Sequence, residues 1–263
     1  MKLFVISDIH GSLSSFRAAM DAFNREKADH LLICGDYLNH GPRNDIPAGY
    51  DTKGLAKALN DMKHLITGVR GNCDSEVDQM MLEFPVLAPY TTILVPGSEN
   101  GAVRRIFVHH GHLMTAEEAA RLNPAGTIIV SGHTHVPVLE KFSLNAESAA
   151  ETPVSGEKFA PSAASSQGAN AAQTDAECAA GTRAAEYVAL NPGSVSIPKG
   201  GCEPSYAVIE VAAHEIKIRL CALDGKVLKI LECCRKCQFY ALLEIILCMA
   251  AIENECVHEL CIK

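Results

Sequence analysis

Five short polar groups punctuate a largely apolar sequence: Asp8-Ile9-His10, Gly35-Asp36, Gly71-Asn72-Cys73-Asp74, His110-Gly111-His112 and Gly132-His133-Thr134-His135. Singly, each has an ordinary reading. Asp-x-His triplets arise by accident, Gly-Asp after a strand is usually a turn, and histidines near a strand end are more often hydrogen-bonded or on the surface. Together, in this order, they supply carboxylate oxygens, imidazole nitrogens and a neutral amide carbonyl. Such a mixed nitrogen and oxygen set suits Mn²⁺, Fe or Zn²⁺ and, less comfortably, Mg²⁺. Two ions held roughly 3.5–4 Å apart need a bridging anion, and an aspartate on a strand-end turn is the natural choice. The neighbouring glycines let the backbone turn sharply and bring the side chains inward.

The elements that must position these groups are legible as apolar runs. Lys2 to Ile6, His30 to Cys34, Leu65 to Val69 and Thr127 to Ser131 read as strands, each running into one of the polar groups. Thr91 to Val95 and Arg105 to His109 read as a strand pair around a turn-rich connection. Apolar residues at Leu13, Phe16, Ala19, Met20 and Phe23 predict a helix over Ser12 to Arg25, capped by Ser12 or a neighbouring serine. Lys53 to Met62 and Ala116 to Leu122 read as further helices. Later strands are expected at Tyr187 to Leu190, Ser205 to Val211 and Glu215 to Leu220. Strands alternating with helices and followed by more strands indicate an α/β protein with stacked sheets. Every polar group falls just after a strand, where sites gather in such architectures.

From 143 to 186 the sequence is dominated by Ala, Ser, Glu, Gly and Thr, and it reads as a disordered, low-complexity insertion. Beyond Leu228 the chain becomes cysteine-rich and nearly apolar, and residues 229–263 read as a helical extension to a domain spanning 1–228. Eleven cysteines, an odd number, occur without an export signal near the N-terminus, so a disulfide framework is not expected. Cys233-Cys234-x-x-Cys237 resembles a fragment of a metal site, yet no second pair stands at zinc-ribbon spacing, and reduced thiols are the plainer reading. No apolar run reaches the roughly 18–20 residues that span a bilayer. These features point to the cytoplasm, without membrane insertion. The formal charge of −8 disfavours long nucleic acid, which is bound by clustered cations.

The series DIHG, GDYLNHGP, GNCD, HHGH, GHTH and NPGS resembles the calcineurin-like metallophosphoesterase superfamily and, within it, small bacterial phosphodiesterases. The likeness covers Met1 to about Lys141 and Tyr187 to about Leu220; it omits the insertion and the cysteine-rich tail. It implies a four-layer αββα sandwich, two stacked mixed sheets flanked by helices. It also implies two divalent metal ions, with Mn²⁺ the first expectation and Mg²⁺, Zn²⁺ or Fe as alternatives. Asp8, His10, Asp36 and His135 would hold one ion; Asp36, Asn72, His110 and His133 would hold the other, with Asp36 bridging. A hydroxide made available by the ions would attack phosphorus in line, while Asn72 and the metals stabilise the phosphoryl oxygens. Asp36, Asn72 and His110 are therefore the catalytic candidates, and His112 is expected beside the ligands rather than among them.

Cys73 departs from the pattern. Many superfamily members carry a histidine there, able to protonate the leaving group and oriented by the following aspartate, here Asp74. A neutral thiol is a poor substitute acid. Weak monoesterase activity and a preference for diesters, especially activated aryl ones, follow; the plain alternative is that Cys73 only fills space. His40 and Arg43 in the same stretch as Asp36 could contact substrate, or could be an ordinary loop histidine and a surface arginine. The substrate expected is a small-molecule phosphodiester, and the resemblance leaves room for a homo-oligomer. A phosphomonoesterase on the same site is the alternative, and a non-catalytic scaffold on the same fold is the third reading; the intact ligand set favours the enzyme.

Overall fold

Strand β1 (Lys2–Ile6) sets the plan of the molecule, because its alternate residues face two different cores. Leu3 and Val5 point one way and Phe4 and Ile6 the other, and all four are buried. A strand apolar on both faces must lie between two layers. It pairs in parallel with β2 (His30–Ile33) and antiparallel with β9 (Ser205–Val211). The computed structural model describes residues 1–96, 103–144, 184–212 and 215–234. Two mixed sheets account for its strands. The first has the order β11-β10-β9-β1-β2-β3, where β3 is Ile66–Gly68, β10 is Glu215–Ala222 and β11 is Val227–Cys234. The second comprises β4 (Tyr90–Pro96), β5 (Val103–His109), β6 (Ile128–Val130), β7 (Val138–Leu144) and β8 (Ala185–Asn191), in the order β4-β5-β6-β8-β7.

Three apolar clusters glue four layers. Helices α1 (Leu13–Glu26) and α2 (Thr52–Asp61) cover one face of the first sheet through Phe16, Phe23, Leu55 and Leu59, packed on Phe4, Ile6, Leu31 and Ile33. Val5, Leu32, Cys34, Ile106, Val108, Val130, Leu190 and Ile209 fill the space between the sheets. On the far side, α4 (Ala116–Arg121) packs Ala119 and Ala120 on Phe107, Ile129 and Tyr187. This is the expected αββα sandwich. Ser12 caps α1, its hydroxyl accepting from the Ser15 N–H at 3.2 Å.

Two sequence expectations change, and one helix is added. Residues Val227–Cys234 form β11, not the start of a helix: seven register pairs join it antiparallel to β10, and Leu231 and Cys233 pack on the inter-sheet core. The remainder of the tail, 235–263, lies outside the described residues. Ser143 and Leu144 pair with Glu186 and Ala185, so β7 and β8 form one antiparallel hairpin and both ends of the proposed insertion belong to its ladder. Polar composition hid this, because backbone pairing does not depend on side-chain character. The interior of the insertion, 145–183, lies outside the described residues. A short helix α3 (Glu76–Met81), with a Ser75–Asp78 capping box, was not anticipated; it has too few turns to show a period.

One ion pair locks the helix layer to the first sheet. Arg219 on β10 forks onto Glu26 at the end of α1, with Nη1–Oε1 and Nη2–Oε2 at 3.2 and 2.5 Å, and the Tyr206 hydroxyl donates to Glu26 at 3.0 Å. Arg219 holds the Glu26 carboxyl below its ordinary range, with further help from Tyr206 against burial. A depressed carboxylate stabilises the fold above its unfolded pKa and loses that contribution as pH falls through the folded value. We expect Glu26→Gln to cost about 1–2 kcal/mol at pH 7 and to flatten the loss of stability below about pH 4.5, as read from urea unfolding across pH.

Candidate metal centre

The seven candidate ligands follow, or immediately adjoin, strand ends on one side of the sandwich: Asp8 and His10 after β1, Asp36 after β2, Asn72 after β3, His110 after β5, His133 and His135 after β6. Five of them hold the left-handed backbone region that side chains avoid: φ is 56° at Asp8, 49° at His10, 56° at Asp36, 69° at His133 and 60° at His135. Among the described residues Lys27, at the end of α1, is the other non-glycine residue in this region. Such backbones cost on the order of 1–3 kcal/mol each and persist where surrounding structure over-determines them. Here it does. The Asp8 N–H donates to Gly35 O at 3.2 Å, the His10 N–H to Asp36 O at 3.0 Å, and the hydroxyls of Ser194 and Ser196 donate to Asp8 O at 2.8 and 3.0 Å.

The seven side chains converge. His135 Nε2 lies 3.2 Å from Asp8 Oδ1 and 3.2 Å from His10 Nε2. His10 Nε2 is 3.6 Å from both Asp8 Oδ1 and Asp36 Oδ2. His110 Nε2 is 3.4 Å from Asp36 Oδ2 and 3.1 Å from Asn72 Oδ1, which His133 Nδ1 approaches to 2.7 Å. Asp36 stands between an Asp8-His10-His135 group and an Asn72-His110-His133 group. Burial favours neutral carboxyls, yet His10 and His135 outweigh it and hold Asp8 far below the usual range. Burial likewise disfavours imidazolium at His110, but Asp36 and Asp8 raise it to about 8.

The remaining nitrogens of three imidazoles show what the convergence is suited to. Nδ1 of His10 donates to Asn39 O at 2.8 Å, that of His110 to Cys34 O at 2.7 Å and that of His135 to Ile197 O at 2.6 Å. A neutral ring that spends its proton there turns a bare Nε2 lone pair inward, the orientation a metal ligand needs. With both rings neutral, lone pairs of His10 and His135 face each other and Asp8 Oδ1 is buried without a donor, a conflict that either ring protons or a cation must answer. A cation among them would relieve both, so the donor set fits a metal. Among the described residues, every cluster of three potential metal-binding side chains lies in this centre. A pocket opens beside it, walled by Gly41, Pro42, Arg43, Asn44, Cys73 and Lys199.

The comparisons with known proteins give the family. Residues 1–152 match the family model described as the calcineurin-like phosphoesterase superfamily domain. Phosphodiesterase YfcE of Escherichia coli K12 is 39% identical over 210 residues, covering 80% of this chain and 88% of that protein. This chain belongs to the calcineurin-like phosphoesterase superfamily. The solved structure of E. coli YfcE, described as a phosphoesterase, superposes with a TM-score of 0.62 at 35% identity, covering 88% of this chain and 98% of that one. Phosphodiesterase MJ0936 of Methanocaldococcus jannaschii is 22% identical over 147 residues, covering 54% of this chain and 77% of that protein.

Around the phosphoesterase centre, other residues of the same motifs have roles that the sequence does not define. Asp74 is buried, and its carboxylate accepts the N–H groups of Asp36, Tyr37 and Gly71 at 2.8, 2.8 and 2.7 Å, tying the β2 loop to the β3 loop. Asn191 Nδ2 donates to Gly132 O at 2.7 Å and Thr134 Oγ1 at 3.1 Å, which explains the asparagine of NPGS. The His112 ring lies 5.3 Å from that of His110, outside the converging set, and the His40 ring packs edge-on against Tyr50. Cys233 lies on β11; Cys237, which the proposed cysteine cluster requires, is outside the described residues.

Gly71 gives a direct test of how tightly the loops interlock. A Cβ there would lie 2.1 Å from Asp36 Oδ1 and 2.4 Å from Asp36 N, so alanine must push the Asp36 loop aside. We expect Gly71→Ala to lower kcat/KM on an aryl phosphodiester by about 100-fold, since displacements near 1 Å cost that much, while circular dichroism reports a retained fold.

Proposed function

We propose that the chain is a metal-dependent phosphodiesterase acting on small substrates through a dinuclear centre. Asp8, His10, Asp36 and His135 would hold one ion and Asp36, Asn72, His110 and His133 the other, with Mn²⁺ the first choice and Mg²⁺, Zn²⁺ or Fe as alternatives. The observation that carries this reading is the inward convergence of imidazole nitrogens whose opposite nitrogens are fixed by backbone carbonyls. When bound, such ions lower the pKa of a water nucleophile and neutralise charge on the phosphoryl group. Asn72 turns Oδ1 toward His110 and His133, which leaves its amide N–H groups on the substrate side, one of them 3.2 Å from Cys73 Sγ. That amide can donate to a phosphoryl oxygen as charge develops. The domain of this reading runs from residue 1 through β11, with residues 145–183 inserted in the β7–β8 hairpin and 235–263 as an extension. Its setting is the cytoplasm, in keeping with free thiols at Cys34, Cys73, Cys202, Cys221 and Cys233. No helix among the described residues is long and apolar enough to cross a membrane.

Leaving-group help is the weak point of the site. Burial and the nearby Asp36 carboxylate push the Cys73 thiol up to about 12, so it holds its proton tightly and makes a poor general acid. Esters whose leaving group departs unaided are then favoured, and diesters over monoesters. The test is to strip metal from the protein and assay an aryl phosphodiester and its matching monoester with Mn²⁺. Faster turnover of the monoester would replace this reading with the monoesterase one. Cys73→His, which puts a titratable imidazole beside Asp74, should raise monoester turnover relative to diester by at least about tenfold, the low end of general-acid effects.

A further inference from the structure

We propose that Arg43 and Lys199 form an anion-recognition pair that selects phosphodiesters bearing a second negative group, a carboxylate or phosphate, on the ester arm that does not leave. The inference rests on the phosphodiesterase reading and names the substrate class for it. The two side chains come from different loops, Arg43 between β2 and α2 and Lys199 between β8 and β9, yet both wall the pocket that contains Asp36, Asn72, Cys73 and His133. Both loops are rooted in the metal centre. Lys199 N–H donates to His135 O at 3.2 Å, two residues after Ile197 accepts the His135 ring proton. Asn44 holds the Arg43 turn, its N–H donating to Gly41 O at 3.3 Å and its Nδ2 to His40 O at 2.8 Å. The same segment supplies Asn39 O to the His10 ring.

The charges are uncommitted. Among the described residues neither Arg43 nor Lys199 has a carboxylate partner; other exposed cations, Arg17 and Lys53 among them, share this, and what sets Arg43 and Lys199 apart is that they wall one pocket. Among the described residues, Asp36 is the pocket's one carboxylate, and it faces the imidazoles. Two free cations at one opening are notable in a chain of formal charge −8. A diester phosphate carries a single negative charge, which the metal centre engages, so the pair beside it calls for another anion. The walls point the same way. Among the described residues, the pocket is lined, apart from Pro42, by glycine and polar or charged side chains, with no aromatic ring other than imidazole. A nucleobase or a long alkyl arm finds no stacking surface there, while an arginine and a lysine offer directional and point-charge contacts to an oxyanion.

The experiment uses the full-length, Mn²⁺-loaded protein and two p-nitrophenyl phosphodiesters with the same leaving group. One carries a 2-methoxyethyl arm, which has no internal nucleophile, and the other a carboxymethyl arm. We expect kcat/KM for the carboxymethyl ester to be higher by about tenfold, mainly through KM, as one charge-assisted contact allows. In the Arg43→Gln/Lys199→Gln double variant the ratio should fall to about one. Calorimetry supplies a readout without turnover: phosphoglycolate should bind more tightly than ethyl phosphate by about tenfold, an advantage lost in the double variant. Turnover of both esters at equal kcat/KM would overturn the anion pair and leave the phosphodiesterase reading standing. A preference that survives the double substitution would overturn it too. If neither ester is hydrolysed with Mn²⁺, Mg²⁺, Zn²⁺ or Fe²⁺, the phosphodiesterase reading fails, and the calorimetric comparison still decides whether Arg43 and Lys199 recognise an anion.

Discussion

Asp36→Asn should lower turnover of an aryl phosphodiester by at least about 1000-fold, at the upper end of losses seen when one transition-state contact is removed. The size of the effect follows from position. Asp36 Oδ2 is 3.6 Å from His10 Nε2 and 3.4 Å from His110 Nε2, so one carboxylate serves both ligand groups. Its other oxygen accepts the Cys73 N–H at 2.8 Å and thereby positions the residue after Asn72. Asparagine keeps the shape and tolerates the left-handed backbone at φ 56°, but removes the negative charge. Metal per chain, read by plasma mass spectrometry, should fall by at least one ion of the proposed pair while the circular dichroism spectrum is unchanged. Full metal content with full activity would contradict the bridging assignment.

The second large effect is expected away from the ligands, at Asp74. Alanine there removes the acceptor of three N–H groups, from Asp36, Tyr37 and Gly71, in a place where Asp74 itself is 3% exposed. Each amide left without a partner costs about 1–3 kcal/mol, and the loops can recover part of this by admitting water, so a loss of about 3–5 kcal/mol is expected. For a domain of this size that is roughly a 10 °C fall in Tm. Activity should fall with it, because Asp36 and Gly71 are among the groups released. Asp74→Asn is the informative control: its carbonyl can still accept, so it should recover part of the stability. Thermal unfolding of the two variants separates the acceptor role from a charge role.

Much of this molecule can be read before it is folded. Strands β1, β2, β5 and β6 are apolar runs that stop at polar clusters, and those clusters deliver Asp8, Asp36, His110 and His133 to one side of the sandwich. Ser12 announces α1 because capping is local chemistry. What escaped reading is non-local. The carbonyls of Cys34, Asn39 and Ile197 orient the ligand rings, but a carbonyl has no residue identity to notice. Strand β11 was missed because Val-Leu-Lys-Ile-Leu leads into an apolar, cysteine-rich sequence, and a short mixed run reads equally well as helix until its partner, β10, is known. Arg43 could be noticed but not weighed: only the fold shows that Lys199, 156 positions later, shares its pocket.

The β7–β8 hairpin separates growth from chemistry. Its ladder starts at Val138 and Asn191, beside the histidine loop, and ends at Leu144 and Ala185, roughly 20 Å away at the usual rise of a strand. Sequence enters at the far end, six rungs from the loop that the near end supports. That corner is where an engineer can graft a reporter with the working end of the enzyme six rungs away.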